Sequence, residues 1–386
     1  VPGLYLLLLL LLPPLLHASE ATQPEPCELD DDDVRCFCNF TDPQPDWSSA
    51  LQCMAAVEVE IRGGGRDLEQ FLKYASKDPK EYADMVKALR MRRLTVGAAR
   101  VPGQLLVSLL RALGYSRLRE LTLEDLEVTG ILPPLLLEDS GPALSTLCLR
   151  NVSWATGGAW LEDLLQRLKP GLKELHIAQA LSPGFSCAQL RAFPTLTNLD
   201  LSDNPGLGER GLIEALCPNK FPALRDLALR NTGIETPGGV CAALWVAGVQ
   251  LHSLDLSHNA LRSTAQGTPG CVWPRTLNDL NLSFAGLEQV PKGLPPQLNV
   301  LDLSCNRLNR APGQDELPKV SNLRLEGNPF LDPGVLKRLE DPPISAAVSA
   351  CAGSALTCVW PRTLNDLNLS FAGLEQVPKG LPPQLN

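Results

Sequence analysis

The chain has 386 residues, of which 44% are hydrophobic and 20% are charged, and its formal net charge is −9. This is the composition of an ordinary globular protein with enough chain to bury a large core. The negative charge argues against non-specific binding to nucleic acid, so nucleic acid is not an expected partner.

The first predicted element is an apolar run at residues 6–12, which is too short to span a bilayer. Small residues follow it at Ser19 and Ala21, so residues 1–21 are predicted to be a secretory signal peptide cleaved after Ala21. Pro13 and Pro14 would break the alternative element, a buried N-terminal helix.

Secretion would allow disulfide bonds among the 12 cysteines. Four of them crowd near the predicted mature start, and because Cys36 and Cys38 are one residue apart, each is expected to pair outward. N-glycosylation sequons also suit a secreted protein. The four predicted glycosylation sites are Asn39, Asn151, Asn281 and Asn368.

Residues 22–90 are predicted to form an N-terminal cap. Alternation predicts a strand over 54–64, and 67–90 is typical of helical segments interrupted at Asp78-Pro79. The acidic run 30–33 lacks the spacing of a calcium loop, which favours a solvated loop. Apolar residues in the cap either seal the stack or line a cavity for an acyl chain, and composition alone favours sealing. They include Phe37, Phe40, Trp47, Leu51, Met54, Val59, Ile61, Phe71, Tyr82, Val86 and Leu89.

The dominant pattern is L-x-x-L-x-L-x-x-N, repeated ten times at spacings of 21 to 28 residues. That spacing is the period of a leucine-rich repeat, whose units bury their leucines only by stacking. The sequence therefore predicts an α/β solenoid: a curved leucine-rich-repeat horseshoe at residues 91–335, with parallel strands on the concave face and a disulfide-stapled N-terminal cap. The units begin at Met91, Leu118, Leu144, Leu172, Leu196, Leu224, Leu251, Leu277, Leu298 and Val320.

Within each unit the last two leucines alternate with a polar residue, as in a strand with one buried face. Asn204, Asn259, Asn306 and Asn328 follow where the chain turns, and their amides are expected to satisfy backbone groups there. The longer units leave room for helices, as in 159–168, whereas the last two units should have tighter backs.

The C-terminal part departs from this rhythm. Residues 336–357 are predicted to be a linker, and residues 358–386 copy 271–299 letter for letter. Because 44 residues separate Val320 from Leu364, the copy is not expected to stack on the solenoid.

No enzymatic signature accompanies these repeats. The sequence has no nucleophile elbow, HExxH or Walker A motif, and His176, His252 and His258 are not clustered. We therefore expect no catalytic residue, no metal site and no cofactor. A basic stretch at 90–119 either meets phosphate groups on a ligand or simply faces solvent.

Several segments closely resemble the monocyte differentiation antigen family, the leucine-rich-repeat co-receptors for lipopolysaccharide. They are "PEPCELDDDDVRCFCNF", "PQPDWSSALQC", "LRNVSWATGG", "LDLSDNPGLGERGL", "FAGLEQVPKGLP" and "LDLSCNRLNRAP", and the resemblance spans residues 15–356. It implies a non-enzymatic receptor with a hydrophobic pocket near the N-terminus. That pocket would take lipopolysaccharide and other acylated bacterial lipids from a plasma lipopolysaccharide-transfer protein. The lipid would then pass to a Toll-like receptor with its lipid-binding accessory protein, and homodimer formation is left open.

The resemblance also assigns ligand-binding residues, with an apolar lining that includes Val59, Ile61 and Leu89. The segment at 76–84 differs from the longer and more acidic family form. The full set is Glu28, Leu29, Asp30, Asp31, Pro43, Gln44, Pro45, Asp46, Glu58, Val59, Glu60, Ile61, Arg62, Phe71, Asp78, Pro79, Tyr82 and Leu89.

By the same resemblance four disulfides are implied. Cys148 has no obvious mate, and Cys305 with Cys351 is a weaker possibility. The implied pairs are Cys27–Cys38, Cys36–Cys53, Cys187–Cys217 and Cys241–Cys271.

The resemblance also bears on localisation. Family members are held at the cell surface by a glycolipid anchor, whose attachment needs an apolar tail, and the copy at 358–386 offers none. The chain taken literally is expected to be secreted. The alternative functions are an adhesion or protein-binding module that uses the concave face, for example around His252 and Asp255, and an extracellular-matrix structural protein.

Overall fold

A computed structural model describes residues 25–42, 47–63, 83–130, 132–133, 141–154, 160–180, 187, 190–262, 272–313, 315–331 and 366–368. Within these residues 15 strands form one sheet. The first two strands are antiparallel, and every later pairing is parallel. The sheet therefore grows by one strand per unit, which is the architecture of a leucine-rich-repeat solenoid.

The strands follow one another along the sheet in chain order, except β7, which pairs with β5. They are β1 (Cys27–Leu29), β2 (Arg35–Phe40), β3 (Glu58–Gly63), β4 (Arg93–Pro102), β5 (Glu120–Thr129), β6 (Thr146–Arg150), β7 (Ser153–Trp154), β8 (Glu174–Ala178), β9 (Asn198–Asp200), β10 (Asp226–Ala228), β11 (Ser253–Asp255), β12 (Asp279–Asn281), β13 (Gln297–Asp302), β14 (Lys319–Arg324) and β15 (Asp366–Asn368).

Leucines in register form the core behind the sheet. Leu121 pairs with Leu147, which pairs with Leu175, and the ladder continues through Leu199 to Leu323. These side chains are buried because successive residues of a strand point to opposite faces. The other side chains of the strands lie on what we call the open face, the surface of the sheet that points away from the leucine core.

Buried asparagines close the turns after β9, β11, β13 and β14, as predicted. The Asn259 side-chain amide donates to the carbonyl oxygens of Leu229 (2.7 Å) and Leu256 (2.9 Å). Its Oδ1 accepts from the backbone N–H groups of Thr232 (2.9 Å) and Ile234 (3.2 Å). One side chain thus satisfies backbone groups of two neighbouring units. The same role is taken by Asn204, Asn306 and Asn328.

The residue before this turn position is left-handed in unit after unit. Asp203, His258, Phe284 and Cys305 have φ between 51° and 59°, and Gly327 takes the position in the last of these turns with φ 71°. A left-handed backbone strains most side chains, so the hydrogen bonds of the asparagine ladder hold it in place.

Helices cover the back of the longer units. They bury leucines against the sheet, as α2 does with Leu106 and Leu110. The predicted helix at 159–168 is present as α3. The described helices are α1 (Ala83–Ala88), α2 (Gly103–Leu113), α3 (Trp160–Gln166), α4 (Gly208–Ala215) and α5 (Pro237–Ala247), with 3-10 turns at Trp47–Ala55 and Pro329–Leu331.

The back becomes tighter after α5, as expected from the shorter spacing. Among the residues described after Ala247, the only helical segment is the 3-10 turn Pro329–Leu331. None of the helices in the described part of the chain is long and apolar enough to cross a membrane.

The prediction that the C-terminal copy does not stack is wrong for the part that the structure describes. β15 pairs in parallel with β14, and Leu367 lies opposite Leu323. The copied strand has the same residues as β12, and the edge of β14 offers unpaired backbone groups to it. A long linker costs little extra closure entropy, so the 44-residue gap does not prevent this pairing.

Candidate functional site

Disulfides fasten the N-terminal strands to each other. Cys27 and Cys38 are paired residues of the β1–β2 hairpin and are bonded, with a Cα–Cα distance of 4.0 Å. Cys36 bonds to Cys53 in the 3-10 turn that follows β2. Both pairings are as predicted. The sulfurs of Cys27, Cys38 and Cys53 lie close together, but because all three are disulfide-bonded they offer no thiolate to a metal ion.

The outcome differs among the other predicted cysteine pairings. Cys187 and Cys217 form the expected disulfide. Cys241 is disulfide-bonded, and its predicted partner Cys271 lies outside the described residues. Cys148 is free, as expected. Cys305 is also free, so the weaker suggestion of a bond to Cys351 is wrong.

The acidic run of the hairpin is a turn whose first carboxylate is already engaged. Asp30 Oδ1 accepts from the backbone N–H groups of Val34 (2.7 Å) and Arg35 (2.9 Å). Asp33 adopts a left-handed φ of 55°. Glu28 and Asp31 are exposed, whereas Leu29 packs against the core. The run therefore forms the solvated loop that the sequence favoured.

Strand β3 divides its predicted binding residues between two faces. Val59 and Ile61 are on the core side, where Val59 is 8% exposed and Ile61 packs against the core as a half-buried residue. Glu58, Glu60 and Arg62 alternate with them and lie on the open face. A single cavity cannot contact all five side chains, so an apolar ligand would meet Val59 and Ile61 while a polar headgroup would meet the other three.

Ion pairs cross the open face at this end of the sheet. Glu58 contacts Arg35 at 3.1 Å and Arg93 at 2.6 Å, and Arg93 also contacts Glu120 at 2.7 Å. The hydrogen bond with Glu120 is the main reason that the pKa of Arg93 is raised. On the same face Arg62 contacts Glu60 at 2.5 Å and Glu124 at 3.8 Å.

Arg92 and Arg93 show how the predicted basic stretch divides. Arg93 is balanced by two carboxylates, and Arg92 donates to the carbonyl oxygen of Arg117 at 3.3 Å. For these two residues the solvent-facing interpretation of the basic stretch is therefore favoured over phosphate binding.

The structure describes only some of the predicted ligand-binding residues. Leu89 packs against the core after α1, on the same side as Ile61. Exposed apolar side chains that the ligand-binding assignment did not include lie nearby in sequence, with exposed fractions of 39% to 66%. They are Val34, Phe37, Leu51 and Met54. The predicted residues outside the described part of the chain are Pro43, Gln44, Pro45, Asp46, Phe71, Asp78, Pro79 and Tyr82.

The predicted glycosylation sites differ in exposure. Asn39 and Asn151 are exposed, which suits an attached glycan. Asn281 is half-buried on the open face, where its Oδ1 accepts from the Ser283 backbone N–H at 3.0 Å. Asn368 is in β15, and its side chain lies outside the description.

Comparison with known proteins decides the family. The chain is 71% identical to the monocyte differentiation antigen CD14 of Bos taurus over 351 residues, which cover 91% of this chain and 94% of that protein. It is 69% identical to the Homo sapiens protein of the same name over 360 residues, which cover 92% and 96%. The chain belongs to the monocyte differentiation antigen CD14 family. This confirms the resemblance noted in the sequence.

Likeness outside the CD14 family is more limited. Toll-like receptor 2 of Equus caballus is 32% identical over 142 residues, which are 37% of this chain and 17% of the receptor. No protein-family model matches the chain. Among solved structures, the glycosylated Toll–Spatzle complex of Drosophila gives a TM-score of 0.44 at 19% identity, covering 76% of this chain and 37% of that one. The assignment of a leucine-rich-repeat solenoid therefore rests on the sheet itself.

Proposed function

We propose that this chain is a non-enzymatic co-receptor of innate immunity that binds lipopolysaccharide and related acylated bacterial lipids. The observation that carries the proposal is the 71% and 69% identity to CD14 proteins over more than nine-tenths of the chain. The partial similarity to Toll-like receptor 2 supports a place in a Toll-like receptor pathway. The antigen would receive lipid from a plasma transfer protein and pass it to a Toll-like receptor with its accessory protein.

We place the binding site in the N-terminal cap, residues 22–90, ahead of the repeats at 91–335. Four exposed apolar side chains are concentrated there, among them Leu51 in the 3-10 turn and Phe37, which lies beside Glu60 on the open face. Two disulfides hold β2, which bears Phe37, and the 3-10 turn, which bears Leu51 and Met54. Ile61 and Leu89 add half-buried apolar surface on the core side.

Acyl chains would bind here because they leave water. Burial of one methylene group is worth about 0.8 kcal/mol, so ten methylenes contribute about 8 kcal/mol before the entropy of immobilising the chain is subtracted. The ion-paired residues Glu58, Glu60 and Arg62 on the opposite face of β3 would meet polar groups of the ligand. The binding and release steps form no covalent bond. Attached glycans and a cell-surface or secreted location are part of the same proposal.

The test is transfer of fluorescent lipopolysaccharide from the plasma carrier to the purified full chain. Ile61→Glu and Leu89→Glu place a charge on the proposed apolar surface, and each should lower loading at least roughly tenfold because a buried unpaired charge is expensive. Val246→Glu is the matched control, since Val246 is 56% exposed on α5, far along the chain. Urea midpoints and circular dichroism check that each variant is folded.

Two outcomes would overturn the assignment. Unchanged loading in both folded cap variants would reject the apolar surface of the cap. Loss of partner binding on Ser253→Arg or Asp255→Arg, with both cap variants unaffected, would favour a protein-binding module that uses the open face.

A further inference from the structure

A cavity opens on the back of the repeats, where the end of α5 meets the chain that leads to β12. It has a volume of about 550 Å³, which is within the range of pockets that hold small organic ligands. The side chains that line it come from positions within 244–250 and from 272–275. The cavity is therefore built from a different part of the chain than the N-terminal cap.

The helix α5 presents an apolar outer surface to this cavity. No side chain from Pro237 to Ala247 is charged. The start of the helix is fixed by Thr236, whose Oγ1 accepts from the Gly239 backbone N–H at 3.2 Å. A helix on the surface of a protein normally carries charged residues on its outer side. Trp245, which is 71% exposed, takes that place here.

The inner surface of the cavity is also apolar. Leu244, Val249 and Trp273 line it and are buried. The indole N–H of Trp273, the one polar group of that side chain, donates to the carbonyl oxygen of Gly293 at 2.8 Å. Val272 also lines the cavity and is 59% exposed, so the apolar lining continues to the mouth. An acyl chain in this cavity would leave water along its length.

Arg275 is the single charged side chain among the described residues that line the cavity. It is exposed and forms no ion pair within the described part of the chain, whereas Arg262 contacts Glu235 at 3.2 Å. A guanidinium group binds a carboxylate through two parallel hydrogen bonds. One positive charge beside an apolar cavity is complementary to a ligand with an apolar chain and one negative charge. A phosphate monoester, which carries nearly two charges, would be balanced less well.

We propose that this cavity binds the acyl chain of a long-chain fatty acid, whose carboxylate pairs with Arg275. The chain lies against Trp245 and Trp273, and its removal from water drives binding. The ion pair fixes the direction in which the ligand enters. No covalent bond forms.

The experiment uses the full chain, freed of lipid, and palmitic acid with a photoactivatable diazirine on its acyl chain. After irradiation, peptide mass spectrometry locates the label, and unlabelled palmitate is added as a competitor. We expect labelled peptides from residues 237–250 and 272–276. Palmitate methyl ester has the same chain without the charge, so it should compete at least roughly tenfold less well.

Two pairs of variants separate the contributions of the charge and of the apolar lining. Arg275→Gln should weaken competition by palmitate roughly tenfold and remove its advantage over the ester. Arg225→Gln is the control, because Arg225 is exposed and does not line the cavity. Trp245→Glu places a charge against the acyl chain and should remove the label. Val246→Glu is its control, because Val246 is the next residue of α5 and is 56% exposed but does not line the cavity.

The proposal is overturned by any of three results. These are an absence of label from residues 237–250 and 272–276, equal competition by palmitate and its methyl ester on the unaltered chain, or unchanged labelling in a folded Trp245→Glu variant. The comparison of the two competitors needs no substitution, so it does not depend on how well a variant folds. Label in the N-terminal cap is read from different peptides, so failure of this site and failure of the proposed lipopolysaccharide site are distinguishable.

Discussion

Removal of the Asn259 side chain is the sharpest test of how the repeats are held together. Asn259 is 3% exposed and lies between two units. Asn259→Ala would leave the backbone N–H groups of Thr232 and Ile234 without their acceptor, and would also remove the donor to Leu229 and Leu256. No water can easily replace the amide at a site so deeply buried.

The size of the effect follows from these contacts. A buried donor left without a partner costs about 1–3 kcal/mol, so two amide groups predict a loss of about 2–6 kcal/mol in the free energy of unfolding. Asn259→Asp keeps the acceptor but points a carboxylate at the carbonyl oxygens of Leu229 and Leu256. Asn259→Asp should therefore lower the free energy of unfolding at least as much as Asn259→Ala does.

The assay is urea unfolding followed by circular dichroism, with stability taken from the linear extrapolation. Asn299→Ala is the matched control, because Asn299 is exposed and its amide has only a 3.5 Å contact with Asp279. It should change stability by less than about 0.5 kcal/mol. A loss below about 1 kcal/mol for Asn259→Ala would refute the reasoning, since it would show that neighbouring units do not depend on the amide.

Two further predictions concern backbone strain and pH. Gly327→Ala should lower the free energy of unfolding by about 1–3 kcal/mol more than Gly286→Ala, as measured by thermal unfolding. Both glycines have positive φ, but only at Gly327 would an added Cβ meet the Cys305 Sγ, at 2.8 Å. Equal losses for the two variants would contradict this. The hydrogen bond with Asp200 raises the pKa of His176, so its stabilising effect is present at acid pH and lost as pH rises through that pKa. His176→Gln should therefore destabilise more at pH 5.5 than at pH 8.5, and the reverse order would contradict the argument.

Much of the fold can be predicted from the sequence because each repeat contains the residues that bury its strand and close its turn. The L-x-L alternation predicts the buried ladder that runs through Leu147 and Leu175, and the turn asparagines act as expected. Tertiary context changed two expectations. Only residues 58–63 of the alternating stretch form β3, since Met54 belongs to a 3-10 turn, and part of the C-terminal copy pairs with β14.

The candidate sites were less accessible to sequence reasoning. The alternation of β3 already implied that Glu58 and Val59 lie on opposite faces, but it could not reveal that Glu58 is held by ion pairs with Arg35 and Arg93.

The most direct test of the central claim maps where lipopolysaccharide contacts the chain. Lipopolysaccharide with a photoactivatable group in its acyl chains would be loaded onto the full protein, irradiated, and located by peptide mass spectrometry. The proposal predicts crosslinks within the N-terminal cap, around β2, β3 and α1, and their loss in Ile61→Glu. Crosslinks confined to β9–β14, or an absence of loading from the plasma carrier, would contradict it.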